Sequence, residues 1–244
     1  MNHLITGGTD GIGKAIAIKI LRHSQSVEDR VIVNYGHNEE KAKAFLNGLS
    51  DEDRSKVILI KADLSSETGL NAFVEAVLDA VPAIDHIVSN IGIGEYAKFD
   101  DYTMEMWNRV ITTNLTIPTF LIQKLKSHMR NGGSILFVGS YAGVSPYSSS
   151  LVYSISKAGV VYLAKALVKE FDSQSVRVNA IAPGFIETAW QSNRSAESYE
   201  RINKKIALHR FGTPEEVADM AYQVLMNTYM NGTVVEIHGG YNYF

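Results

Sequence analysis

Tyr153 and Lys157 stand four residues apart in the run Tyr153-Ser154-Ile155-Ser156-Lys157. In a helix that spacing puts both side chains on one face, about one turn apart. A phenol titrates near ~10, so it exchanges protons poorly at neutral pH unless nearby positive charge stabilises its anion. The Lys157 ammonium supplies such a charge. Any amphipathic helix can carry this pair as a core tyrosine beside a surface lysine, so the accompanying residues matter. Ser140 directly follows the apolar run Ile135-Leu136-Phe137-Val138. There its hydroxyl either donates to the oxygen that the tyrosine serves or ends a strand in a turn. Asn114 lies inside a helical pattern running from Met104 to Arg130, a position that propensity disfavours for asparagine.

A second set of residues opens the chain. Leu4-Ile5-Thr6 reads as a strand and leads into Gly7-Gly8-Thr9-Asp10-Gly11-Ile12-Gly13 and then a helix. The glycines fall where a strand turns tightly into a helix N-terminus. Backbone amides there can meet a pyrophosphate that a Cβ would obstruct. Such a turn is sometimes only a turn, but its place in the first β-α unit points to a dinucleotide. An NAD enzyme usually carries a carboxylate for the ribose 2′-hydroxyl about twenty residues past the glycines. Here the matching run is Asn34-Tyr35-Gly36-His37-Asn38, with no acid. Its absence removes a bond to the hydroxyl and a repulsion against a 2′-phosphate, which favours NADP over NAD.

These residues need a scaffold, and its pattern is legible. Seven short apolar runs read as strands: Leu4 to Thr6, Val31 to Val33, Val57 to Ile60, Ile87 to Ser89, Ile135 to Val138, Val178 to Ile181 and Val234 to Ile237. Between them, stretches such as Lys14 to Arg22, Lys41 to Leu49, Leu70 to Val81 and Ala158 to Phe171 repeat apolar residues at three and four, as helices packed on a sheet require. Strand and helix alternate, so the fold expected is α/β, a Rossmann-like doubly wound seven-stranded parallel sheet with helices on both faces. No linker or repeat divides it, and residues 1–244 read as one nucleotide-binding and catalytic domain. Residues 187–210 depart from the alternation before a helix opening at Pro214, and read as a helical insertion over the mouth of a site. Ser148-Ser149-Ser150 reads as a loop and helix cap.

The order Gly7, Gly11, Gly13, then Ser89-Asn90-Ile91-Gly92, Asn114, Ser140, Tyr153, Lys157 and Pro183-Gly184 resembles the single-domain branch of the short-chain dehydrogenase/reductases. The likeness covers essentially the whole chain. It is nearest to the 3-oxoacyl-(acyl-carrier-protein) reductases in Pro183-Gly184-Phe185-Ile186-Glu187-Thr188 and in Arg210 to Ala218. The resemblance implies that Tyr153 protonates a carbonyl oxygen while a nicotinamide delivers hydride to the carbon, and that Lys157 also holds the nicotinamide ribose. It implies that Asn114 marks a local irregularity holding a relay water. It places Gly7, Thr9, Asp10, Gly11, Ile12 and Gly13 at the pyrophosphate, and Asn34, Tyr35, Gly36 and His37 near the adenine ribose. Asp63 and Leu64 then meet the adenine, Asn90 and Gly92 the adjoining ribose, and Pro183, Gly184, Ile186 and Thr188 the nicotinamide. Asp63 and Thr188 are equally suited to capping the helices that follow them. Two departures stand out: Ser89 and Ile91 replace members of the family's Asn-Asn-Ala-Gly turn, and Asp10 occupies the place where NADP-dependent relatives often carry arginine.

The substrate is less legible. The insertion from Ala189, Ile93 to Lys98, Tyr141 to Tyr147, Trp190 and Tyr199 should form its wall. Asn131 and Gln174 stand where carrier-dependent relatives place basic residues, with Arg130 one position away. The expected substrate is a small ketone or alcohol, foremost a 3-oxoacyl thioester, with a sugar, steroid or biosynthetic ketone as the rival within the family. A non-catalytic dinucleotide sensor is a remote alternative, because such a protein would be expected to have lost Tyr153 or Lys157. An epimerase of the longer branch would need an extra domain. With a net charge of −3 and 20% charged residues, nothing supplies the basic footprint of nucleic-acid binding. The chain has no cysteine, and His3, His23, His37, His86, His128, His209 and His238 show no ligand spacing, so no metal is expected. No leader and no membrane-spanning run is read, and a cytoplasmic location follows. The aromatic end Tyr241-Asn242-Tyr243-Phe244 would be costly to expose, and with the family's habit it suggests a homotetramer, or failing that a dimer.

Overall fold

The computed structural model describes residues 1–146 and 150–241. The strands are β1 (Asn2–Ile5), β2 (Arg30–Tyr35), β3 (Val57–Lys61), β4 (Ile84–Ser89), β5 (Met129–Val138), β6 (Arg177–Pro183) and β7 (Val234–Ile237). They form one parallel sheet in the order β3-β2-β1-β4-β5-β6-β7. The helices are α1 (Gly11–His23), α2 (Glu39–Asn47), α3 (Asp51–Lys56), α4 (Glu67–Ala80), α5 (Met104–Ile111), α6 (Ile117–Leu125), α7 (Leu151–Ala166), α8 (Ala196–Asn203) and α9 (Pro214–Met226). The expected seven strands and Rossmann-like topology are thus borne out.

Both faces of the sheet are covered, which is why its strands are apolar throughout rather than alternating. On one face Leu70 and Phe73 of α4, Leu121 of α6 and Val160 of α7 pack on Leu4, Ile87 and Ile135. On the other, Ile16 and Ile20 of α1 and Val217 and Ala221 of α9 pack on Ile5, Val88 and Leu136. Helix starts follow local chemistry. Ser66 caps α4 by accepting from Gly69 N, and Thr213 with Glu216 forms a reciprocal capping box before Pro214.

Three local expectations change. The pattern from Met104 to Arg130 is not one helix: α5 and α6 are separated by a π turn, Thr112–Thr116, and β5 already begins at Met129. Pro118 has no N–H to continue the ladder to the Asn114 carbonyl, and Ile117 N instead bonds Thr112 O, five residues back. A further short helix, α3, has too few apolar residues to show as a periodicity. The stretch Leu151–Gln174 is long and apolar enough by composition to cross a membrane. It is α7 and the 3₁₀ turns after it, packed against β5, β6 and the π turn.

Candidate active site

Chain crossovers leave β1 and β4 in opposite directions, so a crevice opens beyond their C-terminal ends, the usual ligand position in such sheets. Gly7 and Gly11, at φ +61° and +52°, turn the chain from β1 into α1 in a backbone region that side chains rarely adopt. A Cβ on Gly13 would lie 2.4 Å from the Gly7 carbonyl and 2.6 Å from Asn90 Nδ2. The turn is braced from behind: Asn90 Nδ2 donates to the carbonyls of Thr6 and Gly7 at 3.1 and 3.0 Å. Asn34 Oδ1 accepts from Gly7 N at 3.2 Å, while its amide donates to Ala62 O at 3.0 Å. A cleft of about 920 Å³ runs along these strand ends.

Most of the anticipated residues meet in that cleft. Gly7, Asp10, Gly11, Ile12, Asn34, Gly36, His37, Asp63 and Leu64 line it, together with Asn90, Gly92, Ser140, Tyr153, Lys157, Pro183, Gly184, Ile186 and Thr188. Thr9, Gly13, Tyr35 and Asn114 do not line it. Gly13 belongs to the packing of α1 on the turn, and Asn114 acts one layer further back. The cleft fits an extended dinucleotide: its glycine-lined floor lies at the start of α1, where a Cβ on Gly11 would meet Thr188 at 3.3 Å.

Around the adenosine half, Asp10 and Asp63 each meet a polar partner. Asp10 caps α1 by accepting from Gly11 N at 2.9 Å and forms an ion pair with Lys41 of α2. His37 Nε2 lies 3.4 Å from Asp63 Oδ2. Lys41 escaped sequence reading, since nothing in its local pattern reveals that α2 turns it toward Asp10. Asp63 Oδ1 also accepts from Ser65 N at 3.0 Å, whereas Ser66 rather than Asp63 caps α4.

At the other half, Tyr153 and Ser140 line the cleft together, and burial pushes the phenol up to about 12 against an opposing pull from Ser140. Ser140 Oγ accepts from Ala142 N at 3.2 Å, as a serine in a strand-end turn does. Lys157 is buried, and desolvation lowers its ammonium to about 8. Its Nζ donates to Val138 O at 2.8 Å and lies 5.9 Å from the Tyr153 ring centroid. The π turn aims Asn114 at the loop after β4: its Oδ1 accepts from Ile93 N at 2.8 Å. Its Nδ2 donates to Ile93 O at 2.9 Å and Ser156 Oγ at 3.0 Å. This places a Cβ built on Gly92 3.2 Å from Lys157 Nζ and 3.5 Å from Asn114 Oδ1. Asn114 thereby joins the loop to the helix that bears Tyr153 and Lys157.

The segment 187–210 contributes a 3₁₀ turn, Ala189–Gln191, capped by Thr188, and then α8. Trp190 lies 5.6 Å from Tyr153, ring to ring, and its Nε1 donates to Tyr96 Oη at 3.3 Å. Trp190 thus bridges from the insertion to the loop after β4. Tyr199 does not line the cleft; it stacks on Phe211 at 4.0 Å in a small core with Ile202 and Ile206. Tyr141 is likewise buried against His238 at 4.1 Å. Tyr147, Ser148, Ser149 and the tail 242–244 lie outside the described residues. Ser150 donates to Glu95 O and makes no side-chain cap bond to α7. On the outer surface Arg130 faces Asp85 at 3.4 Å, and Gln174 donates to Lys126 O at 3.0 Å. Arg194, Arg201 and Lys205, which belong to no motif, also line the cleft.

A strand-turn-helix cradle for a dinucleotide, with a tyrosine, a serine and a buried lysine at its far end, defines an oxidoreductase of the nucleotide-binding α/β class. A family model described as enoyl-(acyl carrier protein) reductase matches residues 7–242, and the chain belongs to the short-chain dehydrogenase/reductase family. It is 34% identical over 242 residues to the 3-oxoacyl-[acyl-carrier-protein] reductase FabG of Aquifex aeolicus, covering 97% of this chain and 95% of that one. It is 33% identical over 247 residues to glucose 1-dehydrogenase 2 of Bacillus subtilis, covering 97% and 93%. Among solved structures, a short-chain dehydrogenase from Burkholderia cenocepacia in complex with NADP superposes with a TM-score of 0.89 at 26% identity, covering 98% and 96%.

Proposed function

We propose that the protein is an NADP(H)-dependent reductase of a 3-oxoacyl thioester or similar ketone, with Tyr153 as the proton donor. The observation that carries this is the convergence of Ser140, Tyr153 and Lys157 on the wall of one cleft, with Lys157 one helical turn from Tyr153 on α7. With its phenol near 12, Tyr153 stays protonated at neutral pH and is ready to give its proton to a carbonyl oxygen. Ser140 shares that oxygen and orients it. Lys157 offsets the negative charge left on the phenolate. Asn114 keeps the loop after β4 and α7 in register. When bound, the nicotinamide supplies hydride to the carbonyl carbon, or accepts it in the oxidative direction.

NADP(H) is favoured because β2 ends without a carboxylate, and because Lys41 neutralises Asp10, the acid that would otherwise repel a 2′-phosphate. The thioester reading is supported by the likeness to the Aquifex aeolicus reductase. The likeness to a glucose dehydrogenase supports a sugar or other family substrate as the second reading. We take residues 1–244 as one catalytic unit in the cytoplasm, with 187–210 covering the substrate. A homotetramer is supported by the exposed apolar stripe Leu151, Ile155 and Tyr162 along α7, with Phe120 of α6 also exposed. Sedimentation equilibrium tests it.

The activity is tested by following reduced-nicotinamide absorbance with NADPH and NADH in parallel, against acetoacetyl-CoA, glucose and a ketone panel. Turnover of acetoacetyl-CoA with NADPH that disappears in Tyr153→Phe is the expected result. Turnover that survives in Tyr153→Phe overturns the assignment of the acid.

A further inference from the structure

Charge is distributed unevenly along the cleft. The acids that line it among the described residues, Asp10 and Asp63, stand at the start of α1 and just after β3, where Asp10 pairs with Lys41 and Asp63 faces the His37 ring. The 187–210 segment, whose Trp190 lies 5.6 Å from the Tyr153 ring, instead brings Arg194, Arg201 and Lys205 to the cleft. Among the described residues none of these forms a salt bridge, although Glu197 sits one turn before Arg201, and Glu200 on the same helix pairs with Lys204.

Arg194 and Arg201 are also held close together. Arg194 Nη1 and Arg201 Nη2 both donate to the single hydroxyl of Ser198, at 3.1 and 3.3 Å. Like charges brought together without an acid between them repel, and a ligand anion relieves that repulsion. Arg194 is fixed before any ligand arrives: its Nε donates to Gln191 Oε1 at 2.9 Å, and its guanidinium lies 5.4 Å from the Phe185 ring centroid. Gln191 in turn donates to Ile186 O at 3.3 Å, which ties the guanidinium to the segment that follows β6. Neither recorded bond of Arg194 uses Nη2, leaving that nitrogen for a ligand. A planar, pre-oriented guanidinium is suited to carboxylate or phosphate oxygens.

We propose that Arg194 and Arg201, with Lys205 at the rim, form an anion-binding corner, and that the substrate is a ketone carrying a carboxylate or phosphate. The inference rests on the ketone-reductase reading and names the substrate class within it. Two sources share this chemistry, a free keto acid and the phosphates of a coenzyme A thioester.

The test compares acetoacetate, acetoacetyl-CoA and neutral ethyl acetoacetate with the wild type, Arg194→Gln, Arg201→Gln and, as a control on the same helix, Lys204→Gln. The expected result is a higher kcat/KM for at least one anionic ketone than for the ester. That ratio should fall roughly tenfold or more in Arg194→Gln and Arg201→Gln and keep its wild-type value in Lys204→Gln. The anion that gains identifies the source. A ratio unchanged in both arginine variants, or lowered equally by Lys204→Gln, overturns the corner. In parallel, thermal shifts of the NADP⁺-loaded protein with acetoacetate or coenzyme A read anion binding without turnover. Stabilisation by one of these anions that both arginine variants lose supports the corner even if no ketone is reduced, in which case the reductase reading alone fails. Absence of any stabilisation in the wild type counts against the corner itself.

Discussion

Lys157 Nζ donates to the carbonyl of Val138, the last residue of β5, at 2.8 Å. The buried ammonium is thus anchored to the sheet, with no acid paired to it among the described residues, and burial lowers it to about 8. Tyr153, pushed up to about 12, does not titrate in the working range. Reduction should therefore keep a constant kcat/KM at lower pH and decline as pH rises through about 8, where Lys157 loses the charge that supports the phenolate. A kcat/KM profile from pH 6 to about 10, which reports the free enzyme, checks this. Lys157→Met should lose most activity at every pH.

Asn114→Ala removes bonds to both backbone groups of Ile93 and to Ser156. Buried groups left unpaired cost about 1–3 kcal/mol. The thermal midpoint should fall by several degrees, and kcat should fall with it because the loop after β4 loses its tie to α7. A melt and a steady-state assay on the same preparation measure both.

Gly13→Ala places a methyl 2.4 Å from the carbonyl of Gly7. The obstacle is backbone and cannot swing aside, so a cost toward the upper end of about 1–3 kcal/mol is expected. Dinucleotide affinity should weaken as the turn opens. Denaturant titration and calorimetric binding of NADP⁺ test the two effects.

Lys41→Met should raise the KM for NADPH by roughly three- to tenfold while leaving that for NADH nearly unchanged, since the 2′-phosphate would then face an uncompensated Asp10. Asp10→Asn should have the opposite sign for NADPH.

His3 on β1 and His86 on β4 face each other with Nδ1 atoms 3.1 Å apart. Burial lowers them to about 3 and about 4, against 6.5 when unfolded. Below 6.5 the unfolded chain takes up protons that the native pair does not, so their contribution to stability is present above that pH and is lost as pH falls toward 4 and then 3. The slope reaches up to about 1.4 kcal/mol per pH unit for each histidine. Urea midpoints between pH 7 and about 4 should fall accordingly, and His86→Phe should give a shallower slope.

Much of the molecule was written into local sequence. Strands such as Ile135 to Val138 and helices such as α1 declare themselves because apolar periodicity records which faces are buried. The Gly7 to Gly13 turn declares itself because only glycine tolerates its backbone. The spacing of Tyr153 and Lys157 is a property of any helix, so their shared face followed from four residues of chain. Tertiary structure decided the rest. The meeting of Ser140 and Tyr153 at one cleft wall depends on how α7 is laid against the end of β5, and Asn114 reaches Ile93 only because a π turn rotates it there. Lys41 meets Asp10 across a separation of 31 residues, Tyr199 turns toward Phe211 instead of the cleft, and Arg194 and Arg201 converge on Ser198. Periodicity encodes which side of an element is apolar. The partners that polar side chains find are set by distances between elements, which no local spacing contains.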